Sequence, residues 1–147
     1  MAVQLQTTAF DPGTVLTDFT AAQENAGAVV SFTGIVRNTD AGDLQAMEIE
    51  HYPAMTKTAI AAMIDTAKSR WALADAQVIH RHGRLVPGEV IMMVTTAARH
   101  RADAFAGAEF LMDYLKSRAP FWKKEITSNG AAWVEARDVD EQALARW

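Results

Sequence analysis

MDYLKSRAPFWKKE, residues Met112 to Glu125, holds a helix end, an abrupt stop and the start of a basic strand. Pro120 lacks a backbone N–H and steers Ala119 toward extended backbone, so a helix carrying Met112 and Leu115 must end by Ala119. Upstream, Phe105, Ala108, Met112 and Leu115 recur at helical spacing, which predicts a helix from Arg101 to Arg118 with these four residues on its buried stripe. Downstream, Asn129-Gly130 is a favoured tight-turn dipeptide, so Trp122 to Thr127 is expected to pair with Ala132 to Arg137. Lys116 and Lys123 are seven residues apart but lie on opposite sides of the break, where chain reversal can bring both to one pocket.

The rest of the chain alternates in the same way. Asp11-Pro12 reads as an N-cap and first helical residue, with Val15, Leu16 and Phe19 as the apolar stripe of a short helix ending before Gly27. GAVVSFTGIVR (27–37) is a strand, with Ala28, Val30, Phe32, Gly34 and Val36 on one face and Arg37 emerging at its end. The polar loop NTDAGD leads to a strand at Met47 to Tyr52, and Pro53 stops it. From Ala54 to Trp71, Met55, Ile60, Met63, Ile64, Ala67 and Trp71 mark one face of a long helix. Val78 to His82 and Val90 to Ala97 are β-rich and expected to pair across the Pro87-Gly88 turn, and the tail to Trp147 is expected to be a short helix. No linker or repeat divides the sequence, so residues 1–147 are expected to form one α+β domain with mostly antiparallel strands.

Composition narrows the function classes. Half of the 147 residues are hydrophobic and the net charge is −4, so binding of nucleic acid by bulk electrostatics is disfavoured. No window has the roughly 18 apolar residues of a membrane helix, and MAVQLQTTAFDPG lacks signal-peptide regions, which predicts a cytoplasmic protein. The chain has no cysteine, which removes disulfides, thiolate metal sites and any cysteine nucleophile or persulfide on this chain. Of the histidines at 51, 80, 82 and 100, His80 and His82 share a strand face, but no acidic third ligand stands nearby. Neither a metal nor a cofactor is expected.

The cations singled out are Arg37, His100, Arg101, Lys116, Arg118, Lys123, Lys124 and Arg137. Most have an ordinary explanation. Lys116 and Arg118 sit in a helix's last turn, where the dipole favours positive charge by roughly 0.3–1 kcal/mol. Lys123 and Lys124 are neighbours on a strand and must point to opposite faces, so at most one can share a given site. Arg37 and Arg137 read equally as surface charges at strand ends. His100-Arg101 is different, because cations at a helix start oppose the dipole unless an anion joins them there. Beside other cations, and partly shielded by Phe121 and Trp122, a lysine would lose basicity and become a usable acid, base or amine nucleophile.

In order and spacing, FTGIVRN (32–38), EHYPAMT (50–56), HRHGRL (80–85), HR (100–101), MDYLKSRAPFWKKE (112–125) and WVEAR (133–137) resemble the catalytic large subunit of molybdopterin synthase over most of the chain. The resemblance implies an α/β hammerhead-like domain with an additional antiparallel β-sheet. It also implies a sulfurtransferase of molybdenum cofactor biosynthesis. Such an enzyme inserts two sulfurs into cyclic pyranopterin monophosphate (precursor Z) to form the molybdopterin dithiolene.

The sulfur would come from a small ubiquitin-like partner subunit with a C-terminal Gly-Gly thiocarboxylate, and the large subunits would form a homodimer within a heterotetramer. Carried over by position, Lys116 and Lys123 fall on the family's essential lysines. Arg37, His100 and Arg101 fall on its pterin and phosphate site, beside the backbone of Ile35 and Val36, with Lys124 and Glu125 completing the pocket edge. Phe32 and Met112 correspond to contacts for the partner's tail, and Arg137 to a contribution across the dimer interface. The departures are a short NTDAGDLQ loop and Ile35 at a position often polar in relatives. Two other readings stay open: a non-catalytic phosphate- or nucleotide-binding module, and a scaffold subunit that dimerises through its strands.

Overall fold

A computed structural model describes residues 2–134 and 138–147. The elements are β1 (Val3–Gln6), α1 (Pro12–Ala21), β2 (Ala28–Ile35), β3 (Leu44–His51), α2 (Pro53–Trp71), β4 (Asp75–Arg81), β5 (Gly83–Leu85), β6 (Val90–Ala98), α3 (Arg101–Ser117), β7 (Phe121–Thr127), β8 (Gly130–Trp133) and α4 (Asp138–Leu144). They form two four-stranded sheets, ordered β1-β4-β6-β2 and β5-β3-β7-β8. All strand pairs are antiparallel except β1 with β4. The expected α+β class, with an antiparallel sheet added to a helix-covered one, is what the chain adopts.

The first sheet is covered on both faces. Ala76, Val78 and His80 stand opposite Thr96, Val94 and Met92, on the side where α2 and α3 pack. Ile79 and Met93 alternate to the other side, where Ile79 shares a cleft with Phe19 of α1. The Thr96 hydroxyl donates to the Ala104 carbonyl at 2.7 Å, which pins the start of α3 to the end of β6. Small residues then let this helix approach closely, since a Cβ on Gly107 would lie 2.7 Å from Leu73 Cδ1.

Several expectations need correction. Phe105 is not in the buried stripe of α3 but 61% exposed, and Met55 of α2 is exposed as well. Ala108 and Leu115 lie in the seam of α3 as expected, whereas Ala104 and Leu111 are buried in place of Phe105 and Met112, since the start of the helix lies against Thr96, where only a small side chain fits. β1 and β5 are strands that the hydrophobic pattern does not announce. A register shift between Gly34 and Ile35 breaks the alternation of β2 before Val36. The last residues of the expected Ala132 to Arg137 strand, Arg137 among them, lie outside the described residues.

Candidate active site

The charge of Lys116 bears on Lys123 beside the place where the two sheets touch through His80 and Phe121. In β7, Phe121 stands opposite His51 and Lys123 opposite Ile49, so Phe121, Lys123 and Glu125 share the inner face of the second sheet with Met47, Ile49 and His51. Trp122 and Lys124 point the other way. Trp122 packs edge-on against Tyr52, centroids 4.9 Å apart, and Lys124 Nζ lies 4.7 Å from the Trp133 ring centroid. The expected shielding of the lysine by Trp122 is therefore absent, and Phe121 is the aromatic side chain that shares its face. Lys124 is turned away from Lys123.

Beneath Phe121 lies His80, buried at 4% exposure, with its ring stacked at 4.0 Å and 20°. Its Nδ1–H donates to the Arg81 carbonyl at 2.7 Å, which fixes the tautomer. His51 sits between Phe121 (5.8 Å) and His82 (4.3 Å), with Nδ1 3.2 Å from the Thr56 hydroxyl. β4 ends at Arg81, so His82 lies past the strand on which it was expected to share a face with His80, and among the described residues no group of three or more His, Cys, Asp or Glu could hold a metal.

These surroundings change the titration of the site. Burial pulls the Lys123 amine down to about 8, the Lys116 charge pushes in the same direction, and Asp140 opposes both. At pH 7 about a tenth of such an amine is unprotonated, against a few parts in ten thousand for an ordinary lysine. Burial also drives His80 down to about 3. The Arg81 carbonyl bond resists this, while Lys123, His51 and Lys116 push further down. Asp140 reaches the site because the tail folds back along α3: Arg118 pairs with Glu141 at 2.6 Å, Arg146 with Asp113 at 2.7 Å, and Trp147 Nε1–H donates to Asp113 at 2.6 Å.

The other expected residues distribute unevenly. Arg37 is exposed just past the end of β2, beside the start of β6. Val36 offers no free backbone group, because its N–H donates to the Glu89 carbonyl and its C=O accepts from Gly88, each at 2.8 Å, and its side chain is in the core. Ile35 is exposed. His100 and Arg101 sit at the N-terminus of α3 and Lys116 in its last turn, about 22 Å away at 1.5 Å per residue. One chain therefore does not bring them to the lysines. Phe32, on the face toward α3, is exposed, and Met112 packs partly into the core.

Sequence reasoning missed His80, His51 and Asp140 as neighbours of the lysines. The HRH of β4 and the EHYP of β3 were visible strings, but their convergence on Phe121 depends on how the two sheets meet. Asp140 has no local signal, since it arrives through the folded-back tail.

The arrangement sets one lysine beside an amine close to neutrality, on a chain without cysteine. A family model described as MoaE protein matches residues 5–118, and the chain belongs to that family. It is 61% identical to the molybdopterin synthase catalytic subunit of Cereibacter sphaeroides, over 100% of both chains. The molybdopterin biosynthesis MoaE protein from Burkholderia ambifaria superposes with a TM-score of 0.83 at 47% identity, covering 100% of this chain and 98% of that one. The complex of subunits 1 and 2 of the molybdopterin-converting factor from Helicobacter pylori gives a TM-score of 0.80 over 93% and 92% of the two chains. At 24% identity that likeness is one of fold.

Proposed function

We propose that Lys116 and Lys123 form the reacting centre of this chain, with Lys123 as the proton-transferring amine and Lys116 as the fixed charge that holds an anionic group beside it. The chain is the catalytic subunit of a molybdopterin synthase, a sulfurtransferase of molybdenum cofactor biosynthesis. The alternative of a non-catalytic phosphate- or nucleotide-binding module has no support, since the curated relatives are catalytic subunits. A small subunit is its partner, as in the two-subunit complex of similar fold.

The observation that carries the lysine assignment is the lowered basicity of Lys123 beside Lys116 on a chain with no cysteine. A sulfurtransferase of that composition must receive its sulfur already activated, and a thiocarboxylate at the partner's C-terminal Gly-Gly is such a donor. Attack of that sulfur on the cyclic pyranopterin monophosphate requires protons to be delivered and removed, which an amine near neutrality does well. Phe32 and Met112 flank the partner's tail in this reading. Arg37 and Glu125 line the pocket, and the exposed Ile35 lies at its mouth.

His100 and Arg101 bind the substrate's anion only if they come from a second copy of the chain, because the length of α3 separates them from their own Lys116. That requirement agrees with a homodimer at the centre of a heterotetramer, with Arg137 crossing the same interface. Among the described residues no helix is long and apolar enough to cross a membrane, and we place the reaction in the cytoplasm.

The test is reconstitution with thiocarboxylated small subunit and precursor, read by mass spectrometry for sulfur incorporation. Lys116→Ala and Lys123→Ala should each fold and lose dithiolene formation. Undiminished turnover in both would overturn the assignment.

A further inference from the structure

His80 has no part in the lysine chemistry above, yet it is the only histidine buried among the described residues and it stands at the seam between the sheets. Its ring is a fixed plate. Nδ1–H is committed to the Arg81 carbonyl, and the Arg81 guanidinium is tied to the Thr7 carbonyl, the Val90 carbonyl and the Glu89 carboxylate at 2.7–3.3 Å. The plate is thereby joined to the residues following β1 and to the start of β6.

What rests on the plate is Phe121, the first residue of β7, two positions before Lys123 on the same face. Only Arg118, Ala119 and Pro120 separate β7 from the helix that carries Lys116. The link is tight, with the Phe121 N–H donating to the Ala119 carbonyl at 2.8 Å and the Ala119 N–H to the Tyr114 carbonyl at 3.1 Å. Where the Phe121 ring is held therefore sets where β7 begins relative to the end of α3.

We infer that His80 is a positioning residue for Lys123: by stacking under Phe121 it fixes the first turn of chain after α3, and so keeps the Lys123 amine beside Lys116. The inference rests on the reading of Lys123 as a reacting amine. An apolar side chain at position 80 would fill the space, but only a neutral imidazole also donates to the Arg81 carbonyl and so sets the plane of the plate. The charged groups that bear on this ring are Lys123, Lys116 and His51, all of which favour its neutral form.

The experiment is competitive acetylation of the amines with acetic anhydride across pH, read by mass spectrometry on the peptide containing Lys123. The chains compared are the natural one, His80→Leu, Phe121→Leu, the double variant and His80→Phe. Turnover is measured in parallel in the complex with thiocarboxylated small subunit. In the natural chain Lys123 should titrate at about 8.

Each single leucine variant should raise that midpoint by about one unit as the amine gains water and leaves Lys116. Each should also lower kcat roughly tenfold to a hundredfold with KM little changed. The double variant should match the singles, since both remove one stack, and His80→Phe, which restores a ring but not the bond to the Arg81 carbonyl, should recover only part of both losses. Should His80→Leu fail to fold, Phe121→Leu makes the same test with His80 intact. An unmoved midpoint in the folded single variants, or shifts that add in the double, would overturn the inference. If Lys123→Ala kept its turnover while the midpoint shifts appeared, positioning would stand and the catalytic reading of Lys123 would fall.

Discussion

Lowering the pH from 7 to 5 should destabilise this protein by about 2 kcal/mol through His80 alone. The unfolded chain's imidazole takes up a proton below the ordinary value of 6.5, whereas the folded one resists until about 3. Between those values the unfolded state binds the extra proton, so stability falls as pH falls and the loss levels off near pH 3. With 1.36 kcal/mol per pH unit, the full window corresponds to roughly 5 kcal/mol, and the part expressed by pH 5 is about 2. Urea unfolding at pH 7, 6 and 5 measures it, with His80→Leu as the reference. The substitution has its own constant cost, so the quantity of interest is the slope. The natural chain should lose about 2 kcal/mol more than the variant over this range. Parallel losses in the two proteins would mean that the folded His80 titrates normally and that its burial against Phe121 is not what the structure describes.

Three further outcomes are expected. Lys116→Gln removes a charge that presses on Lys123, so acetylation should find the Lys123 amine titrating above about 8 yet still below an ordinary lysine because burial persists, and an unchanged midpoint would show the pair to be uncoupled. Gly27→Ala would place a Cβ 2.5 Å from the Arg99 carbonyl oxygen, forcing the entry to β2 away from the segment before α3; a loss of about 1–3 kcal/mol in urea unfolding is expected, and wild-type stability would refute the contact. Ala72 caps α2 with φ 50° and ψ 46°, a left-handed conformation that disfavours any Cβ, so Ala72→Gly should raise stability by about 1 kcal/mol, and a lowered urea midpoint would contradict that geometry.

Much of this architecture could be read from local signals. Asp11 caps α1 through its side chain on Gly13, Pro53 opens α2, Pro120 ends α3, and Asn129-Gly130 turns β7 into β8, each through chemistry contained within a few residues. β1 and β5 were not readable because they are four and three residues long and owe their existence to partners, β4 and β3, remote in sequence. In α3 the expected stripe holds at Ala108 and Leu115 but is one residue off at its start, because Phe105 is the larger apolar group, whereas the space against Thr96 admits the smaller Ala104.

The site shows the same division. The lysine pair and the turning apart of Lys123 and Lys124 follow from a helix break and strand alternation, both local. The basicity of Lys123 depends on burial, on the charge of Lys116 at the end of α3 and on Asp140 in the folded-back tail, which separate segments deliver. Strand alternation also explains why Lys124, expected at the pocket edge, covers Trp133 instead.

α3 carries cations at both ends, and a helix is a gauge as well as a support. Adding or removing one residue would change its length by about 1.5 Å and also rotate everything beyond that point by about 100°. His100-Arg101 and Lys116 are thus held in a common phase that no single insertion can preserve. Length variation is far better tolerated in the Asn38 to Asp43 loop or at Ser128-Asn129, where an added residue alters no angle between the two ends of the rod.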